Sequence, residues 1–442
     1  MWRDWIERVL DVSETPNSMR RAAWRVFWIA LLARVITVVA VHDWTSPHDW
    51  EYGVVARSLL AGTGFSGSAW FVPFGPTAFM APAYVYALYG CLALFHGAGY
   101  AALQFIQSVI GAASCVLLAL IARRAFSAKA SLCAGFVLAL YPTHVYLTTS
   151  IHPIVLITAT LLLCVWRSQA AVDAPTPRNA VLLGLALGAG ALTDPAIFCY
   201  VPWAIAWPFL LPLKKWQRGR TEFVLISALV MVLVIAPWTY RNYSVFHRFI
   251  PVKSQFGFVL WVGNHPGAQG TQTVLRPDGT VGDTNEHLSQ IDKVNLARLG
   301  EPEAYQFLGR AAVAYMAAHP RETAVLTAKK ALYYWWFPTW LTCPQCSRGN
   351  VLTQFHHPDM AVWALALVLI ALGMIVEAAS IKRWIPLLAA PVCYTALYAV
   401  INVGSNSRYR IPVECLTLVF AGAALEYIYD CWIRPRRDVT PL

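Results

Sequence analysis

Apolar runs recur along the chain, separated by polar, turn-rich breaks, and many approach the roughly 20 residues an α-helix needs to cross a bilayer. We read about ten spans: 24–42, 101–121, 130–148, 154–170, 180–194, 195–212, 222–240, 360–379, 385–402 and 411–430. The pair at 180–212 is short and breaks at Asp194-Pro195. Residues 81–96 (APAYVYALYGCLALFH) are apolar but also short, lying between Pro82 and Gly97. We expect them to form an interfacial or re-entrant helix within a long first outer loop, 43–100. The segment 241–358 opens with turn sequences, Gly263-Asn264-His265-Pro266-Gly267 and Pro277-Asp278-Gly279. It continues as helical patterns at 302–318 and 321–337, separated by His319-Pro320. The pattern predicts an all-α polytopic membrane protein in three parts. Residues 1–240 form an N-terminal transmembrane module carrying the first outer loop, 241–358 an outer (periplasmic) subdomain, and 359–442 the C-terminal helices. No internal repeat or low-complexity tract interrupts this order.

Composition agrees, with 58% hydrophobic and 13% charged residues against about 45–50% and about 25% in ordinary soluble domains. The net charge of +11 would suggest nucleic acid in a soluble protein. Here it follows from Lys and Arg gathered in cytoplasmic loops, and no nucleic-acid partner is expected. With the N-terminus inside, those loops hold Arg20/Arg21/Arg25, Arg123/Arg124/Lys129, Lys214/Lys215/Arg218/Arg220, Lys382/Arg383 and Arg434/Arg436/Arg437. The short outer loops hold only Arg57, Arg408 and Arg410. A crossing at 81–96 would move Arg123 and Arg124 outside and break this bias. The expected location is a bacterial inner membrane, multi-pass, with both termini cytoplasmic. Residues 1–22 are polar and the apolar run 23–42 ends without a small-residue cleavage site, so a cleaved signal is not expected.

The outer loops carry the candidate chemistry. Asp49 precedes a helix-like stretch ending at Gly62, so it reads either as an N-cap, with Glu51 in the first turn, or as a carboxylate held as general base. Arg408 and Arg410 flank Tyr409 where the chain re-enters the membrane. They are interfacial anchors or a guanidinium clamp for a phosphate at headgroup depth, and Arg410 also stands i, i+4 from Glu414. His152 is a packing residue or part of a site, and Asp194 a helix cap or part of a site. Cys343 and Cys346 suggest a local disulfide, or less readily a metal site with His356 and His357. Other cysteines, such as Cys91, Cys115, Cys164 and Cys393, lie in apolar runs. No Walker or dinucleotide motif occurs. Because these groups face outward, where cytoplasmic nucleotide donors cannot reach, a donor already in the membrane is implied, and a lipid phosphate fits.

Several motifs then resemble the GT-C superfamily of integral-membrane glycosyltransferases. The likeness is to the bacterial, family-39-like branch similar to protein O-mannosyltransferases and the lipid A aminoarabinose transferase. They are Asp49-x-x-Tyr52 with Ala56, Leu60, Gly62, Gly64 and Phe65; Pro76 to Tyr84; and Ala236-Pro237-Trp238-Thr239-Tyr240-Arg241-Asn242. Phe249-Ile250-Pro251-Val252, Gly263 to Gly267 and Ser407 to Pro412 follow in order. The resemblance spans about residues 25 to 430 and implies a GT-C fold with interfacial helices in the first outer loop. It also implies transfer of a sugar from a polyprenyl-phosphate donor to a glycan, lipid or protein acceptor, with membrane lipids around the protein. Asp49, with Glu51, would be catalytic, the base in an inverting displacement. Arg408, Arg410 and Tyr409 would hold the donor phosphate, and Tyr52, His152, Asp194, Arg241 and Asn264 are further candidate substrate contacts. Members of this group often carry an acid just before the fourth span, where this chain has His152. No carboxylate cluster with metal-ligand spacing is visible, so no cofactor or metal is expected. A lipid-linked-sugar flippase or transporter and a non-catalytic assembly subunit are the alternatives. The first would favour repeat symmetry, absent here, and the second loss of Asp49, which is present.

Overall fold

The computed structural model describes residues 15–210, 219–276, 278, 280–337, 356–404 and 407–433. The N-terminal module runs α1 (Pro16–Val41), α2 (Trp50–Leu60), β1 (Ser66–Ala69), β2 (Val72–Pro76), α3 (Pro82–Phe95) and α4 (Gly99–Ala122). It continues through α5 (Ala128–Leu140), α6 (Pro142–Tyr146), α7 (Ile154–Asp173), α8 (Pro177–Thr193), α9 (Val201–Leu210) and α10 (Arg220–Phe246). The 241–358 segment holds α11 (Phe256–Gly263), β3 (Thr273–Leu275), β4 (Val281–Asp283), α12 (Gln290–Leu299), α13 (Glu301–Ala318) and α14 (Pro320–Trp335). The last helices are α15 (His356–Val376), α16 (Ile381–Trp384), α17 (Ala389–Val400) and α18 (Ile411–Ile428).

Among the described residues, seven helical stretches are long and apolar enough to cross a membrane, and an eighth counts if the bent pair α5–α6 is one span. The bend is 54° and falls at Tyr141-Pro142. Proline 142 has no N–H to offer the carbonyl four residues back. Arg34 on α1 supplies that neighbourhood instead, donating to Ala139 O at 3.2 Å and reaching Leu138 O at 3.5 Å. The expected runs 180–194 and 195–212 appear as α8, 17 residues, and α9, whose described part is 10 residues. They break at Asp194-Pro195, as the sequence indicated.

Residues 82–122 form one apolar stretch of 41 residues, yet they do not run straight. The α3 and α4 helices fold into an antiparallel hairpin: a Cβ on Gly99 would lie 2.7 Å from Leu92 Cα, and Tyr84 Oη donates to Gln107 Oε1 at 3.0 Å. With 14 residues, α3 is about 21 Å long, less than the ~30 Å hydrocarbon core. The helix 302–318 and its partner after His319-Pro320 are α13 and α14, almost at the expected bounds. Two short antiparallel hairpins, β1–β2 and β3–β4, depart from the purely helical reading. Strands of three to five residues leave too little alternation to register against the surrounding helical periodicity.

Small residues allow the bundle to close. On α18, the most enclosed helix, a Cβ on Gly422 would come within 2.4 Å of Ala130 O, and one on Gly373 of α15 within 1.9 Å of Phe420 O. Gly184 and Gly188 give the same close approach between α8 and α10. The 241–358 segment is bolted to the first loop by Glu301. Its buried carboxylate accepts from Thr77 Oγ1, from Ala78 N at 2.8 Å and from Ser254 Oγ at 2.6 Å. Arg241 adds a second bolt, donating to Thr77 O at 2.7 Å and Phe65 O at 2.9 Å while lying over Phe65 and Trp238.

Candidate active site

Asp49 stands at the N-cap position of α2 but makes no side-chain cap bond. Its carboxylate is instead committed to Arg57, two turns on, through an ion pair at Oδ2 and a 3.4 Å contact at Oδ1, and Tyr100 Oη also donates to Oδ2. The carboxylate lies directly over Gly53, where any Cβ would sit 1.8 Å from it. Only glycine leaves that space. Between the two acids Trp50 adopts a left-handed φ of 51°, so Asp49 and Glu51 do not share one helical face by simple continuation.

Glu51 has a different set of neighbours. Its charge is felt by Arg408, Lys253, Tyr52 and Tyr305. Asp194 acts on Lys253 and Tyr52 from the far end of α8, while its Oδ1 accepts from Ala196 N at 3.3 Å. Asp194 is thus a cap and a member of the charged cluster together. Tyr52 packs edge-on against His152 at 5.7 Å and Tyr84 at 5.3 Å. Burial and then the Asp194 and Glu51 carboxylates push its phenol far above the usual range. His152, also edge-on to Trp50, has a buried Nδ1 with no hydrogen-bond partner among the described residues. Burial first, then the Arg408 and Lys253 charges, hold its imidazole down at about 3, so it is neutral at physiological pH.

The two arginines of the last outer loop part company. Arg408 Nη2 contacts Tyr409 Oη at 3.1 Å and Gln272 Oε1 at 3.5 Å, and its guanidinium lies over the Tyr409 ring. Tyr409 continues a stack with Tyr398, 4.6 Å away, and Tyr334 beyond it, whose hydroxyl donates to Tyr409 O at 3.0 Å. Arg410 turns inward. It is 1% exposed and bonds Glu414 Oε2 at 2.6 Å, Trp335 O at 3.1 Å and Asp359 Oδ2 at 3.4 Å, above the Trp363 ring. His144 Nε2 stands 3.3 Å from the other Glu414 oxygen. This closed network holds α15 to α18 and gives Arg410 no share in the Glu51 cluster.

Arg241 and Asn264 are also drawn into the scaffold. Asn264 is fully buried, donates to Leu260 O and Val400 O, and accepts from Lys330 Nζ at 2.9 Å. Lys330, 0% exposed, reaches Val400 O at 2.7 Å, Ile401 O at 3.3 Å and Gly263 O at 3.4 Å. An ammonium ringed by carbonyl-type oxygens therefore pins the turn that leads to Arg408. Burial lowers it to about 8. Lys253, Glu301 and Lys330 were not singled out in the sequence. No signal in the sequence separates them from the other charged residues of the 241–358 segment, such as Arg248, Lys293, Glu303 and Lys329. Cys343 and Cys346 lie outside the described residues. The eight described cysteines are free.

The chain matches the family described as dolichyl-phosphate-mannose-protein mannosyltransferase over residues 80–240, a range that excludes Asp49, Glu51 and Arg408. No curated protein matches the sequence. Among solved structures it resembles the archaeal oligosaccharyltransferase AglB from Archaeoglobus fulgidus in complex with an inhibitory peptide and a dolichol-phosphate. The TM-score is 0.53 at 14% identity, covering 92% of this chain and 50% of that one. The apo form of the same enzyme gives the same values. The form tethered to an acceptor peptide containing the NVT sequon gives 0.52 at 13% identity, with 92% and 50% coverage. The chain thus spans about half the length of these proteins. The chain shares a fold with this archaeal membrane enzyme, and its residues 80–240 match the mannosyltransferase family.

Proposed function

We propose that this chain moves a sugar from a polyprenyl-phosphate donor to a glycan, lipid or protein acceptor on the periplasmic face of a bacterial inner membrane. The observation that carries this reading is the convergence of Glu51 and Tyr52 of α2 with Asp194, Lys253 and Arg408 on one half-buried charged cluster. Carboxylates facing cations at that depth suit an acceptor proton on one side and a departing phosphate on the other. In the step, an acceptor oxygen or nitrogen attacks the anomeric carbon from behind. The C–O bond to phosphate breaks with inversion, the acceptor proton passes to a first-loop carboxylate, and polyprenyl phosphate leaves.

Of the two first-loop acids, Glu51 is favoured as the base, because Asp49 has both oxygens engaged by Arg57. Asp49 then orients the loop. The test is release of free polyprenyl phosphate from a panel of polyprenyl-phosphate sugars, by purified protein in nanodiscs. Glu51→Gln should lose about 10²–10⁴-fold in rate, the usual value of a general base. Arg408→Ala should be similarly impaired, and Asp49→Asn less so. Loss in Asp49→Asn with Glu51→Gln active would move the base to Asp49. No release from any donor by wild type would leave the flippase or assembly-subunit readings.

A further inference from the structure

A small cavity lies among the N-terminal helices, walled by α1, α4, α5, α6 and α7. Arg34, Gly111, Ser114, His144, Val155 and Thr158 line it, and all six are buried. About 10 Å³ is open to the centre of a water-sized particle, which admits one water or one small monovalent ion and excludes a phosphate. None of these residues belongs to the Glu51 cluster.

Arg34 is 1% exposed. Its Nη1 donates to Ala30 O at 3.1 Å and Ala139 O at 3.2 Å, and its Nη2 reaches Leu138 O at 3.5 Å. All three acceptors are neutral. Arg34 forms no ion pair among the described residues, and the buried acids Glu414 and Asp359 are held by Arg410. A lysine sheds its proton in such surroundings, but a guanidinium stays charged. A buried cation without an anion is costly, and inside a membrane protein such a group marks a site for an ion.

Two further features point the same way. Arg34 Nε has no hydrogen-bond partner, and the Cys115 thiol beside it donates to Gly111 O at 3.2 Å instead. A Cβ on Gly111 would lie 2.6 Å from that Nε, so glycine leaves the guanidinium its place. The second feature is the N-terminus of α7, a helix of 20 residues that carries no side-chain cap. Ile154 and Val155 of its first turn line the cavity, where unpaired N–H groups and the helix dipole favour negative charge. Ser114 and Thr158 add hydroxyls that donate to Ile110 O at 2.9 Å and Ile154 O at 2.8 Å, and a hydroxyl rotor can turn its proton to an anion.

We propose that this cavity binds one monovalent inorganic anion of the size of chloride, held by Arg34 Nε, the first N–H groups of α7 and the two hydroxyls. The anion supplies the charge that Arg34 lacks. Arg34 also holds the break between α5 and α6 through Ala139 O and Leu138 O, so the ion stabilises the bent segment that carries His144.

The test uses the full chain in detergent, in sodium chloride, sodium bromide or sodium gluconate at one ionic strength, gluconate being too large for the cavity. The thermal midpoint of wild type should rise with chloride or bromide by about 2 °C or more and then saturate, and should stay flat in gluconate. Arg34→Met should lose that dependence. Ser114→Ala combined with Thr158→Val keeps the arginine and should need at least tenfold more chloride for the same rise. Equal midpoints of wild type in the three salts would mean that the cavity holds water alone, and would overturn the proposal. A chloride effect that persists unchanged in the hydroxyl double variant, or in folded Arg34→Met, would place the anion elsewhere and overturn it as well.

Discussion

Removing Arg410 separates a structural cation from a catalytic one. In Arg410→Ala, Glu414 at 0% side-chain exposure and Asp359 at 8% lose the guanidinium that lies 2.6 Å and 3.4 Å away. Breaking a buried pair from one side costs about 3–5 kcal/mol, because an uncompensated charge remains. The lost stacking on Trp363, 4.3 Å away, adds about 1 kcal/mol, partly overlapping the first figure. His144, beside Glu414, can absorb some of the loss by taking a proton. We therefore expect destabilisation near 3–5 kcal/mol, read as a clear fall in thermal midpoint in detergent with a thiol-reactive dye reporting the buried cysteines. Arg410→Lys should be intermediate, and Arg410→Met with Glu414→Gln should recover part of the loss. Arg408→Ala should keep the wild-type midpoint and lose polyprenyl phosphate release. A stable Arg410→Ala protein that folds like wild type but releases no polyprenyl phosphate would refute this division.

Three further outcomes are expected. Glu301→Ala leaves the Thr77, Ala78 and Ser254 donors without their acceptor, which should cost about 3 kcal/mol and raise protease cleavage in the 60–80 loop, with Glu301→Gln milder. Lys330→Met removes the ammonium from Gly263 O and Asn264 Oδ1 and leaves Val400 O and Ile401 O with Asn264 Nδ2 alone; donor KM should rise as the turn before Arg408 loosens, and unchanged kinetics would show the turn holds without it. The folded His152 titrates at about 3 against 6.5 for the free group, so the fold favours its neutral form. Its contribution is fully present above pH 6.5 and is lost as pH falls towards 3, and His152→Gln should flatten that part of the stability profile.

Much of the architecture was legible in the sequence because it is written locally. A bilayer selects helices by windows of about 20 apolar residues, and proline and glycine mark their ends, as at Asp194-Pro195 and His319-Pro320. The helices at 301–318 and 320–335 and the start of α2 beside Asp49 followed from such signals. The i, i+4 pairing of Arg410 with Glu414 was also readable, because a helix brings those positions together by itself.

The composition of the charged cluster was not readable in that way. Arg408 and Arg410 are two residues apart and chemically identical, and what divides them is Asp359, 51 positions away, and Gln272, 136 away. The charges of Glu51 and Lys253 act on each other across the chain, where Glu301 and Arg241 bolt the 241–358 segment to the first loop. The sequence by itself determined that the chain is built from long apolar helices, since transfer into hydrocarbon depends on each segment's own side chains. Only the tertiary structure decided which of those charges neutralise one another and which stay turned towards a substrate, because ion pairing depends on distances between residues far apart along the chain.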